Sequence, residues 1–192
     1  FMYRVDSDGT RTKVWSSLWD SSRGVSEVAL THGNAYVAQH GDAGNQLIAY
    51  KLLRDGAGKL TGLTTNAQLG LPAFTGLQDC LAVDGEWVVL GDQGYTNSSV
   101  ASGAVHLFKH TDGNPTKVAT VIPTNPVAGA RFGSSVVLKD GILMVGSPGE
   151  TNSSTGLNGC VYIYQINNNG VASLLERHVP ANPVIGSGEK FG

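Results

Sequence analysis

Five histidines, two cysteines and fifteen carboxylates are the residues of this chain that could do chemistry, and their spacing argues against most of it. His106 and His110 stand four apart, which on a strand puts them on one face but roughly 13 Å from each other, too far to share a metal. A zinc site needs three or four convergent ligands, and His32, His40 and His178 supply no partner pattern. Asp6-Ser7-Asp8-Gly9 comes nearest to a calcium loop. A hard cation wants six to eight oxygens, however, and Asp followed by Gly is turn chemistry first. No Gly-x-Ser-x-Gly elbow marks a serine nucleophile. The expectation is no metal, no cofactor and no enzyme.

Other chemistry concerns recognition and modification. Asn97-Ser98-Ser99 and Asn152-Ser153-Ser154 both fit the acceptor rule for N-glycosylation, which makes Asn97 and Asn152 candidate sites and points to an extracellular or cell-surface setting. Asp42, Asp92 and Glu150, with Tyr95 beside the second, follow strand-like runs at comparable points, so they are candidate ligand contacts. Loops carried on a rigid scaffold are where binding residues concentrate.

What must hold these residues is a chain of 192 residues with 41% hydrophobic and 15% charged side chains, long enough to bury a core. The net charge of −2, with Lys and Arg scattered singly, offers no basic stripe for nucleic acid. No apolar run approaches the length of a membrane span, so no membrane insertion is expected within this segment. The 26 glycines, with many Asn, Ser and Asp, punctuate short β-branched or aromatic runs, and no segment sustains a helical apolar period. The class is all-β.

The chain repeats itself. Strand, tight turn and strand recur from Ser26, from Gln78 and from Ser134, with turn glycines at Gly33, Gly85 and Gly141, spaced by 52 and 56 residues. Third strands follow at Leu47–Tyr50, Val105–Phe108 and Val161–Tyr164, then hairpin dipeptides Asp55-Gly56, Asp112-Gly113 and Asn169-Gly170, then fourth strands. Phe1–Val5, Asp8-Gly9 and Lys13-Val14 match the second half of such a unit. The units therefore run 1–23 (a half), 24–76, 77–131 and 132–190, with 191–192 opening another. Four-stranded antiparallel units of this period bury their faces by radial stacking, so the expected fold is a β-propeller with about three and a half blades present. Half a unit at one end leads to a further expectation, that flanking parts of the same polypeptide or another chain complete a longer ring of about seven blades.

On this alignment Cys80 falls where Val28 and Val136 sit, and Cys160 where Gln46 and Ala104 sit. The two thiols then lie on different strands of different units, too far apart to form a bridge.

Arg131-Phe132-Gly133-Ser134-Ser135-Val136, running on to Val145-Gly146-Ser147-Pro148-Gly149, resembles the FG-GAP repeat family of integrin α-chain propellers and many secreted proteins. Phe191-Gly192 repeats the Phe-Gly signature, whereas Thr75-Gly76 replaces it one unit earlier. The resemblance implies propeller blades, some with Asp-rich calcium loops between the first two strands. The turns here, such as Val83-Asp84-Gly85-Glu86 and Lys139-Asp140-Gly141-Ile142, lack those carboxylates. The expected role is recognition or adhesion, binding protein or glycan through loops at one face. The alternatives are an architectural block of an extracellular filament or coat, and a propeller-based carbohydrate-active enzyme.

Overall fold

The computed structural model describes residues 2–15, 23–31, 33–41, 45–71, 80–111, 113–152 and 157–179, and every regular element among them is a strand. A half sheet pairs β1 (Met2–Val5) with β2 (Arg11–Trp15). The first full sheet consists of β3 (Arg23–Leu30), β4 (Asn34–Gly41), β5 (Asn45–Arg54) and β6 (Leu60–Leu71), paired antiparallel in chain order. The middle sheet takes β7 (Leu81–Asp84), β8 (Trp87–Asp92), β11 (Ala104–Thr111) and β12 (Asn114–Val121). Between its second and third members a small hairpin of β9 (Thr96–Asn97) and β10 (Val100–Ala101) is inserted. The third sheet is β13 (Ser135–Lys139), β14 (Ile142–Asn152), β15 (Leu157–Ile166) and β16 (Ala172–His178). Each sheet is a meander, the arrangement that short turn-linked strands produce most directly.

Successive sheets bury opposite faces of the period-2 pattern. Tyr36, Ala38, Leu47 and Ala49 of the first sheet meet Leu81, Val88, Leu90 and Phe108 of the middle one. On its other face Trp87, Val89, Val105 and Leu107 meet Leu138, Leu143, Val145, Tyr162 and Tyr164 of the third sheet. Fully burying each Val, Leu or Phe among them contributes about 1.5–3 kcal/mol, so the middle sheet, covered on both faces, anchors the stack.

Register corrects the repeat alignment. Gly33 and Gly141 immediately precede the second strand of their sheets, whereas Gly85 stands one place earlier, with Glu86 before Trp87. Matching the glycines therefore slips the first hairpin of the middle sheet by one residue, which turns every side chain to the wrong face. Strand pairing gives the true equivalents: Tyr36 opposite Ala49, Val89 opposite Leu107 and Met144 opposite Ile163. Cys80 consequently matches Glu27 and Ser135, not Val28 and Val136: Cys80 accepts the Gly91 N–H, while Glu27 and Ser135 pair with Ala38 and Gly146. Cys80 and Cys160 are both buried thiols.

The Asp55-Gly56 turn also differs from a two-residue hairpin. The left-handed residue is Gly58, at φ 78°, and the Asp55 carboxylate accepts the N–H groups of Ala57 and Lys59. An Asp able to cap two backbone donors favours this longer loop.

Candidate functional site

Polar side chains interrupt the apolar interior at one recurring place. On the third strand of the middle sheet His106 lies opposite Leu90 and Thr120, and on that of the third sheet Tyr162 lies opposite Val145 and Arg177. The same position in the first sheet is Ile48. A ring with a polar atom buried here requires a hydrogen-bonding neighbour, and in each case an acid near the end of the second strand stands beside it.

In the middle sheet that acid is Asp92, the last residue of β8 and only 1% exposed. Its carboxylate lies 3.6 Å from Nε2 of the fully buried His106, whose Nδ1 is 3.1 Å from the Thr120 hydroxyl. Tyr95 packs edge-on against the imidazole, with ring centres 5.5 Å apart. In the third sheet the acid is Glu150, 7% exposed. One carboxylate oxygen accepts from the Cys160 thiol at 3.1 Å and the Tyr162 hydroxyl at 2.7 Å, and the other from the Arg177 guanidinium through Nε at 3.0 Å and a terminal nitrogen.

Burial alone would raise the Glu150 carboxyl, but hydrogen bonds from Cys160, Tyr162 and Arg177, with the charge of Arg177, hold it below its ordinary value. Burial, reinforced by the carboxylate, pushes the Cys160 thiol up to about 12 and raises Tyr162 as well. Cys160 is thus an inert thiol. With both oxygens occupied, Glu150 has no capacity left to act as a general base. Chemically this arrangement locks the second, third and fourth strands together.

The candidate contacts from sequence separate accordingly. Asp92 and Glu150 sit within strands, buried among partners, rather than projecting from loops. Asp42 lies outside the described residues. Tyr95 is half-buried at the base of the β9–β10 hairpin, and Asn97 ends β9. Asn152 ends β14, where its backbone pairs with Leu157. The structure brings Asp92 and Tyr95 together around His106 and leaves Glu150 in a separate cluster. Sequence reading missed His106, Tyr162 and Arg177 as the partners of these acids. The available signal was a polar ring at the same third-strand position in two units.

The excursion from Gln93 to Gly103 is firmly braced. The Tyr95 N–H donates to the Asp92 carbonyl at 3.1 Å, and the Tyr95 carbonyl accepts the Gly103 N–H at 3.0 Å. Gly129 and Phe132 donate to the carbonyls of Ala101 and Ser102, both at 2.8 Å. At the tip Ser98 and Ser99 adopt left-handed φ angles of 47° and 75° between the paired Asn97 and Val100. Two-residue hairpins of this hand ordinarily take Asn or Gly, so the two serines are strained.

Among the described residues no group of three or more His, Cys, Asp or Glu is placed to hold a metal ion. Among the same residues no helix is long and apolar enough to cross a membrane.

No known family matches the chain by sequence, and neither does any curated protein. A solved structure of a protein from Lactobacillus plantarum resembles it with a TM-score of 0.59 at 18% identity, over 92% of this chain and 50% of that one. The likeness is one of fold, and this chain spans about half the length of that neighbour.

Proposed function

We propose that this chain is part of a β-propeller of about seven blades, built from units resembling FG-GAP repeats, that serves as an extracellular or cell-surface recognition module for a protein or glycan. The stacking of like-ordered four-stranded sheets supports the propeller. Flanking parts of the same polypeptide, or another chain, complete the ring.

The observation that carries the recognition reading is the braced hairpin. Tyr95 and the strained Ser98-Ser99 tip are held by main-chain bonds on a rigid sheet end, which lowers the ordering cost of binding. Tyrosine supplies a large amphipathic contact with few rotatable bonds. Asp92, the acid beside Tyr95, is only 1% exposed and faces the buried His106, which favours binding over catalysis.

Screening the native protein against immobilised glycans and extracellular matrix proteins tests this reading. Saturable binding that Tyr95→Ala weakens at least tenfold is expected. Binding unaffected by that change, or none to either panel, would contradict it.

A further inference from the structure

A cavity opens between the middle and third sheets, where β12 meets the turn from β15 into β16. Its volume of about 450 Å³ falls in the range of roughly 300–1,000 Å³ usual for small-molecule sites. Val121 and Tyr164, 8% and 4% exposed, form its buried walls, and Val118, Val171 and Leu174 are exposed about its mouth. Among the described residues no charged side chain lines it.

Two local features shape this space. Leu107 pairs with Ala119 and Phe108 with Lys117, so Val118 is the extra residue of a β-bulge, a device that re-aims a side chain. Val118 meets the third sheet here, for a Cβ on Gly170 would stand 2.5 Å from its Cγ1. Gly170, at φ 79°, lets the Asn169-Gly170 turn close one side of the cavity without filling it.

The joint between the first and middle sheets supplies a comparison. Asn66, the bulged residue of β6, is the register equivalent of Val118. In the same way Phe108 corresponds to Tyr164, Asn114 to Val171 and Lys117 to Leu174. The first joint thus sets two amides and an amine where the second sets three aliphatic side chains. The aliphatic lining is therefore a property of this joint and not of sheet stacking as such.

Tyr164 departs from the pattern as well. Its hydroxyl is buried and has no hydrogen-bond partner among the described residues, whereas Phe108 has no hydroxyl to satisfy. An unpaired buried polar group costs stability, and at the wall of a cavity an occupant can satisfy it. Burial raises the pKa of this hydroxyl above its ordinary value, so it stays neutral. The Thr120 hydroxyl, by contrast, is engaged with Nδ1 of His106 at 3.1 Å.

We infer that this cavity binds a neutral aliphatic molecule with one hydrogen-bonding head group, the chain lying along Val118, Ile122, Val171 and Leu174 and the head meeting the Tyr164 hydroxyl. A charged head would be desolvated against walls that offer no counter-charge. A sugar would leave most of its hydroxyls against aliphatic walls, since Thr124 and Asn169 add polar groups only at the exposed mouth.

Titration of the straight-chain alcohols hexanol, heptanol and octanol into the isotopically labelled chain, followed through backbone amide shifts, tests this. Saturable shifts at residues 118–122 and 170–174 are expected, with each added methylene strengthening binding about two- to fourfold. Octanoate should bind at least tenfold more weakly than octanol, and glucose not at all. Tyr164→Phe should weaken octanol about fivefold without lowering the melting temperature, because no described residue bonds to that hydroxyl. Val171→Glu, at an exposed position, should abolish binding while the chain stays folded. Absence of saturable shifts overturns the inference, as do shifts confined to other residues, octanoate binding as tight as octanol, saturable glucose binding at these residues, or full affinity in Tyr164→Phe.

Discussion

Gly91 of β8 faces the carbonyl oxygen of Gly133 so closely that a Cβ would stand 2.1 Å from it. That gap is where two sheets meet, so its width decides whether they can stack. Gly91→Ala should therefore lower stability by about 3 kcal/mol, in the range of severe overpacking against backbone. Gly70→Ala, at a position with nothing within 4 Å, should change it by less than about 0.5 kcal/mol. Urea denaturation of the two variants makes the comparison, and equal effects would contradict the close approach.

The Glu150 cluster predicts a pH dependence. A carboxyl held below its ordinary value of 4.5 in the folded state favours folding above that value, and the contribution fades as pH falls through the folded value. Glu150→Gln should cost about 2–3 kcal/mol near pH 7, because it leaves Arg177 and Tyr162 without their anion. Below the folded value the two proteins should converge. Melting temperatures across acid pH check this, and a constant gap between the proteins would contradict it.

At the hairpin tip Ser99, at φ 75°, occupies a conformation that disfavours L side chains by about 1–2 kcal/mol. Ser99→Gly should stabilise the chain by about 0.5–1 kcal/mol, the added freedom of the unfolded glycine offsetting part of the relief. Chemical denaturation reads the sign, and a loss of stability would show that the tip is unstrained.

Secretion through a eukaryotic cell should attach glycans at Asn97 and Asn152. Asn97 opens the exposed Ser98-Ser99 turn, within reach of a modifying enzyme. Peptide mapping before and after glycosidase would detect the mass shift, and two unmodified asparagines would count against an extracellular setting.

Much of the strand order was legible in sequence because strand, turn and strand recur in the same order in each unit. The third strands aligned correctly, since Ala49, Leu107 and Ile163 occupy equivalent pairings. The first hairpin of the middle sheet did not, because a turn tolerates glycine at either central position and Gly85 takes the earlier one. The roles of Asp92 and Glu150 were hidden for a different reason. An acid after a strand reads as a loop charge unless its donors are known, and Arg177 lies 27 residues beyond Glu150. Only pairing of the outer strands brings that guanidinium alongside.

The most direct measurement of the recognition account is a paired one, binding and thermal stability for Tyr95→Ala and Glu150→Gln against whichever glycan or protein ligand the native protein selects. The account predicts that Tyr95→Ala weakens binding at least tenfold, with a fall in melting temperature smaller than that of Glu150→Gln because Tyr95 is only half-buried. Glu150→Gln should lower the melting temperature by several degrees and leave affinity, measured well below the transition, within twofold. The reverse pattern, with affinity lost in Glu150→Gln and kept in Tyr95→Ala, would contradict it.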